Sequence, residues 1–372
     1  MSSAMTVAKR TVRWLIRSAS RDWETLLVDY RFVRGLRRAA DLQWRPVRRC
    51  PDGRLDAGAA AIGNRLFVIG GYVSEDRVLS VVDVLDMRSR RWVARWPMPS
   101  AMAQSHVGVA SDGVRYVFAV SGQHGNHCRP PTSRAFVLDT VGARWQDLPS
   151  LPEPRYAPTA QIWQGRLHVL GGSREDRHTP ATDHWSLAVT NGRALETQWR
   201  PEPPIPVGGP HRASAVIAGR LYVFGGQLGD YVAIPGDSDC RCTGAIVTEE
   251  YYADCFLLEP GARDWTRAAP MLLAASHTES SVVVMDGAVY LFGGQCALAA
   301  DSAVLAVTDA VQRYDAAADR WTLVGTLPYR VKTAVVARFE NWIYVVGGQR
   351  DRSPDDARPG SVVNNCWRAR FR

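Results

Sequence analysis

Six short apolar runs, each ending in a pair of small residues, recur along the chain. They are RLFVIGG (65–71), RYVFAVSG (115–122), RLHVLGG (166–172), RLYVFGG (220–226), AVYLFGG (288–294) and WIYVVGG (342–348). Each is of strand length and apolar on both faces, which predicts a strand buried between neighbours. The first small residue of each pair is Gly70, Ser121, Gly171, Gly225, Gly293 and Gly347, at intervals of 51, 50, 54, 68 and 54. Ahead of each run lies a polar turn with Pro, His or Arg and then a small-residue strand. Behind it come an alternating strand and a tryptophan, namely Trp92, Trp145, Trp199, Trp265 and Trp321.

Four short strands per period of about 50 residues predict a β-propeller of the kelch type, all-β and six-bladed. Glycine suits the inner end, where tapering sheets bring backbones together and φ turns positive. Tryptophan suits the outer seam, where it buries about 150–250 Å² between blades. The sixth unit stops at Arg372 without a following tryptophan strand, and Trp367 aligns with Trp185 on a third strand. Leu42-Gln-Trp44 stands spare ahead of the first unit. An N-terminal strand near Trp44 is therefore expected to complete the last blade and remove the free edge. The propeller is expected over 41–372, behind a basic extension over 1–40 that is partly helical or disordered. Within that extension Ser20 is a candidate cap for a short helix with Trp23, Leu26, Leu27 and Tyr30 on one face and Gly35 after it.

The formal charge of +8 would point to nucleic acid if it were spread over the fold. Residues 1–49 carry 12 basic and 4 acidic residues, so the remainder holds 33 of each sign. The repeats have no bulk basic footprint, and nucleic acid is excluded as their partner. Lys9, Arg10, Arg13, Arg17 and Arg21, with no acid before Asp22, give the start of the chain the look of a transit peptide or a basic tail. Seven cysteines are too few, and odd in number, for a disulfide scaffold. Cys128, Cys240 and Cys242 are candidates for a disulfide or thiolate site, with unpaired loop cysteines the alternative. No stretch has the roughly 18 apolar residues of a membrane helix.

In a propeller, the leading turn into the innermost strand and the trailing turn after the Gly-Gly strand open on the same face. Here the leading turns supply Arg54 and Asp56, Ser105 and His106, Arg155 and Tyr156, His211 and Arg212, Ser276, His277 and Glu279, and Arg330 and Lys332. The trailing turns supply Gln123 and His124, Arg174, Gln227, Gln295, Gln349 and Arg350. Convergence of Arg155, Arg212, Arg330 and Lys332 would suit an anionic or polyhydroxylated ligand, because arginine offers forked donors. The expected ligand-binding set is His106, Gln123, Arg155, Tyr156, His211, Arg212, Gln227, His277, Arg330, Lys332 and Gln349. His106, His211 and His277 lie on units two, four and five without sequence-local ligand spacing, so no metal or other cofactor is expected. Unit four carries a long trailing insertion from Gln227 to Asp254, and long loops in compact domains are usually functional or disordered.

Loop phrases beyond the bare repeat carry a resemblance. SHVGVASDG (105–113), GQHGNHCRPPT (122–132), PRYAPT (154–159), GRLHVLGGSREDRHTP (165–180), IPVGGPHRAS (205–214), LPYRVKT (327–333) and GQRDRSPDD (348–356) resemble a plant kelch-repeat group of the galactose oxidase/kelch superfamily. The resemblance covers 41–372 and implies a six-bladed propeller. It also implies secretory-pathway or Golgi association through an N-terminal anchor, from which this chain departs. Nitrile-specifier kelch proteins have an iron-associated Glu-x-x-x-Asp-x-x-x-His pattern; Glu250 and Asp254 match it, but Leu258 replaces the histidine. The function expected is non-catalytic binding of a protein segment or a carbohydrate at the polar face by a monomer. The alternative is an enzyme acting on a sugar or specialised metabolite, with Arg155, His211, Arg212 and His277 as first candidates.

Overall fold

The computed structural model describes residues 42–127, 129–234, 249–297 and 304–370. Among these residues every regular element is a strand, and the helix expected after Ser20 lies outside them. Each unit forms one main antiparallel sheet, and short two- or three-stranded sheets are added in units one, four, five and six. In unit one Gly58–Ile62 pairs with Arg65–Ile69, which pairs with Val81–Asp86, which pairs with Arg91–Pro97. The later units repeat the plan from inner strands Gly108–Ser111, Thr159–Trp163, Ala213–Ile217, Val282–Met285 and Val335–Phe339. Each inner strand lies against the next, and the last lies against the first, so the sheets form a propeller-like ring.

The last sheet contains Val335–Phe339, Trp342–Val346 and Cys366–Arg370, and its outer position is filled from the other end of the chain. Arg45–Val47 pairs there, with Arg45 opposite Arg368 and Val47 opposite Cys366. The spare strand near Trp44 thus covers an edge that would otherwise present unpaired backbone groups.

Apolar burial follows the seams rather than one central core. Phe67 and Val84 of unit one meet Val117 and Phe136 of unit two. Tyr222 and Phe224 of unit four meet Leu291 and Tyr314 of unit five, and Tyr344 of unit six meets Leu66 and Leu85 of unit one. The outer tryptophans stitch these seams. Trp92 Nε1 donates to Arg48 O (3.1 Å), Trp199 to Pro149 O (2.8 Å), Trp265 to Pro203 O (2.9 Å) and Trp321 to Ala269 O (3.0 Å). Trp44 makes the same bond to Thr326 O (2.8 Å), so the N-terminal strand takes part in the seams on both its sides. Trp145 is the exception: its Nε1 has no hydrogen-bond partner.

At the inner end, the second small residue of each pair donates its N–H to the leading turn of the next unit. The bonds run from Gly71 to Gln104 O, Gly122 to Arg155 O, Gly172 to Gly209 O, Gly226 to Ala275 O, Gly294 to Val331 O and Gly348 to Arg54 O, all within 2.6–3.2 Å. The first residue must be small for this approach. A Cβ on Gly70 would lie 2.0 Å from Gln104 O, and Gly70 also has a φ of 59°. Ser121 meets the same demand in unit two with a φ of 56°, its Oγ donating to carbonyls and accepting from Arg155 N (2.7 Å).

Candidate functional site

One residue in every leading turn adopts a left-handed backbone. These are Asp56 (φ 54°), His106 (55°), Ala157 (47°), His211 (59°), His277 (58°) and Thr333 (52°). Such a conformation costs a non-glycine residue on the order of 1–3 kcal/mol and persists only where its surroundings over-determine it. The inter-unit N–H bonds supply that frame, together with His106 N to Asp56 O, His211 N to Ala157 O and Thr333 N to His277 O (3.0–3.2 Å). The side chains gather at the axis. His211 stacks on His277 with centroids 3.7 Å apart and planes 12° apart, and His106 lies edge-on to His211 at 5.4 Å.

Trailing turns close over this group. His106 Nε2 lies 2.9 Å from Asp56 Oδ2 and 2.7 Å from the Tyr156 hydroxyl, while its Nδ1 lies 3.0 Å from Ser105 Oγ. Arg177 donates to the Tyr156 hydroxyl and lies over its ring at 4.1 Å. His211 Nδ1 is 2.9 Å from Glu279 Oε1, and its Nε2 faces Asp230 Oδ2 at 3.6 Å. Ser276 Oγ donates to Gln227 Oε1 (2.6 Å) and lies 2.8 Å from His277 Nδ1. Asp56, His106, Tyr156, Arg177, His211, Asp230 and His277 are all buried.

Burial and charge divide these groups. Burial disfavours the His211 imidazolium, but the carboxylates of Glu279 and Asp230 outweigh it and push the pKa up to about 10. Burial holds His277 well below the ordinary histidine range, with His211 adding like charge. It also lowers His106 despite the favourable Asp56 carboxylate. Burial works against ionisation of Asp230, yet Arg177 and His211 hold its pKa down. Several buried polar atoms have no hydrogen-bond partner, among them Asp56 Oδ1, Asp230 Oδ2, Glu279 Oε2 and His211 Nε2. Buried polar atoms of this kind call for an explanation, a missing water, ion or ligand among them.

Residues 56–271 match the KLHDC2/KLHL20/DRC7 Kelch-repeats domain. The chain belongs to the kelch-repeat family. It is 42% identical to a kelch repeat-containing protein of Arabidopsis thaliana, over 90% of this chain and 77% of that one. It is 22% identical to Kelch-like protein terF of Aspergillus terreus, over 79% of this chain and 61% of that one. It is also 22% identical to human Kelch-like protein 23, over 74% of this chain but 42% of that one.

The kelch ring brings some of the expected site residues together and turns others away. His106, Tyr156, His211 and His277 meet at the axis. The expected convergence of arginines is not seen. Arg155 is buried against Asp183 (2.5 Å) and Glu153 (3.0 Å) with its guanidinium over Trp185, and Arg212 lies over Tyr252 with Gly208 O as an acceptor. Arg330 faces Asp351 (3.5 Å) and donates to Pro354 O. These side chains brace their own turns. Gln123, Gln227 and Gln349 likewise use Nε2 on carbonyls of their own trailing turns, Gly125, Gly229 and Gly360. Lys332 Nζ donates to Gln295 Oε1 in a polar chain that continues to Glu249 and Tyr251. Cys128, Cys240 and Cys242 lie outside the described residues.

Sequence reasoning left out Arg177 and Asp230 and gave Asp56 and Glu279 no role beyond the turn. Arg177 and Asp230 lie five and four residues beyond the glycine pairs of units three and four, in trailing turns of different length. Loop length and charge were the signals on offer, and neither fixes where such a side chain points.

Proposed function

We propose that this kelch-repeat protein is a six-bladed propeller over residues 41–372 that acts as a binding module and takes a donor-bearing protein segment at its axial face. The observation that carries the reading is buried carboxylate capacity left over: Glu279 Oε2 has no hydrogen-bond partner, and Asp230 Oδ2 has only the longer approaches of His211 Nε2 (3.6 Å) and Arg177 (3.9 Å). A lysine or arginine side chain would supply close donors to these carboxylates. Val232 and Ile234, in the same trailing turn as Asp230, are exposed apolar residues of the kind a protein segment covers. This replaces the anionic ligand expected from the sequence, since Arg155 and Arg212 are occupied within the fold. The module works as a monomer, and a link to the secretory pathway rests on family resemblance alone.

A random peptide library screened on the immobilised full chain tests the reading. Lysine- or arginine-bearing sequences should be enriched, and Asp230→Asn should weaken their binding about tenfold or more. Enrichment of acidic sequences, or affinity unchanged by Asp230→Asn, would overturn it. A carbohydrate is the second reading, favoured by the chain of alternating donors and acceptors through Lys332, Gln295, Tyr251 and Glu249. Glycan-array binding that Lys332→Met abolishes would support that one instead.

A further inference from the structure

A second pattern in the axial cluster is made by ring nitrogens together with one carboxylate. We infer that Asp56, His211 and His277 form a binding site for one divalent transition-metal ion of the zinc or ferrous class. One ligand atom from each lies within 4.8 Å of the others, and all three residues are buried. They come from units one, four and five, so only the assembled ring brings them together.

Each residue has its outer polar atom engaged and an inner atom left for an ion. His211 Nδ1 faces Glu279 Oε1 at 2.9 Å, a pure acceptor, which assigns a hydrogen to Nδ1. Its Nε2, on a side chain with no solvent exposure, makes no hydrogen bond, its nearest carboxylate oxygen being Asp230 Oδ2 at 3.6 Å, and is the atom an ion would take in place of a proton. Ser276 Oγ directs its hydrogen to Gln227 Oε1, so His277 Nδ1 donates to Ser276 Oγ and leaves Nε2 with its lone pair. Asp56 accepts from His106 through Oδ2, and its Oδ1 is unpartnered. A histidine ligand oriented through its second nitrogen by a carboxylate or hydroxyl is the usual outer shell of a metal site. Two histidines and one carboxylate also leave coordination positions open for water or a ligand.

The other buried histidine pair lacks these features. His168 Nδ1 and His184 Nε2 lie 2.8 Å apart, and their remaining nitrogens lie at the carbonyls of Trp163 (3.2 Å) and Pro203 (3.1 Å). No ring nitrogen is left over there. At the axis, bonds of about 2.1 Å to an ion need ligand atoms roughly 3.4 Å apart. A separation of 4.8 Å must therefore close by about 1.4 Å, and the stacked rings of His211 and His277 must fan open. The site shares Glu279 and the neighbourhood of Asp230 with the peptide reading, but its three ligands are other residues and it is measured without a peptide, so either can fail alone.

The test uses the full chain after treatment with EDTA, titrated with Zn²⁺ by calorimetry and with Co²⁺ by visible absorption. One ion per chain is expected, with a cobalt spectrum of nitrogen and oxygen ligation. His277→Ala and Asp56→Asn should each weaken Zn²⁺ binding by about 100-fold or more, and Glu279→Gln by about 10–100-fold. His184→Ala should leave it unchanged. Circular dichroism identifies variants that fold, and the wild-type titration decides the matter even if every variant fails. Absence of a saturable site in the wild type would overturn the inference. So would affinity unchanged in a folded His277→Ala protein, or a thiolate-to-cobalt charge-transfer band, which would assign the ion to cysteines.

Discussion

Around the outside of the ring, five tryptophans each donate an indole N–H to a backbone carbonyl of the preceding unit. At the axis, the equivalent positions of the six leading turns share a left-handed backbone but carry Asp56, His106, Ala157, His211, His277 and Thr333. The contrast lies in what carries the contact. At the seam a side chain makes it, so the side chain is repeated. At the axis amides and carbonyls make it, and the side chain is released for other work.

Five experiments test that division. The largest effect is expected from deleting residues 42–50, which removes the outer strand of the last sheet, the Trp44 bond and the acceptor of Trp92. The loss should exceed that of Trp321→Ala, itself about 3–5 kcal/mol in denaturant unfolding. Deleting residues 1–30 should cost far less, and equal melting points for the two truncations would refute closure by the N-terminal strand. Next comes Arg54→Ala, which leaves Asp83 in the interior without its buried partner. Breaking such a pair costs about 3–5 kcal/mol, although the remaining bond from Arg95 to Asp83 should keep the value at the lower end.

Acidification should separate the axial His211 from the histidines inside the sheets. Burial first, then like charge, depresses His168 to about 3; burial alone accounts for most of the fall of His184 to about 4. The unfolded chain, with histidine near 6.5, takes up these protons first. Stability is therefore lost as pH falls below about 6.5, with His106 and His277 adding to the loss. His211 has the opposite sign: its contribution is complete below about 6.5 and disappears as pH rises through about 10. Calorimetric melting temperatures should fall from pH 6.5 to 4, and His168→Gln with His184→Gln should flatten that limb. A melting temperature that rises on acidification would contradict the assignment.

Smaller effects probe the two regions directly. His277→Asn keeps a residue tolerant of the left-handed backbone and strands no charge, so it should change stability by about 1 kcal/mol or less. A loss equal to that of a seam tryptophan would erase the distinction between rim and axis. Smallest of all is the difference between two phenylalanine replacements. Trp321→Phe removes a made hydrogen bond and should cost about 1 kcal/mol, whereas Trp145→Phe removes an unpartnered N–H and should stay within about 0.5 kcal/mol.

The same division explains what the sequence made legible. Glycine pairs and tryptophans recur because geometry demands one residue type at one place, and their spacing located the units and the missing strand. His106, His211 and His277 were also visible, since they occupy a fixed position in the repeat. Their engagement was not. His211 holds the left-handed position of its turn, so the turn that sends His211 inward carries Arg212 into its own unit, over Tyr252. Arg177 and Asp230 belong to trailing turns without repeat register, and only three-dimensional closure brings them to the axis. The proposed ion site has no signal in the sequence for a related reason: its ligands are 155 and 66 residues apart in the chain, positions 56, 211 and 277, and no local spacing announces them.

The backbone frame at the axis also bears on how such a ring can evolve. Because amides and carbonyls carry the six connections, an axial side chain can be exchanged without breaking the links between units. Ligand preference can then drift one residue at a time while the fold stays under separate selection at the rim. Paralogues with matching tryptophans and glycines should therefore differ most at the six positions equivalent to Asp56, His106, Ala157, His211, His277 and Thr333.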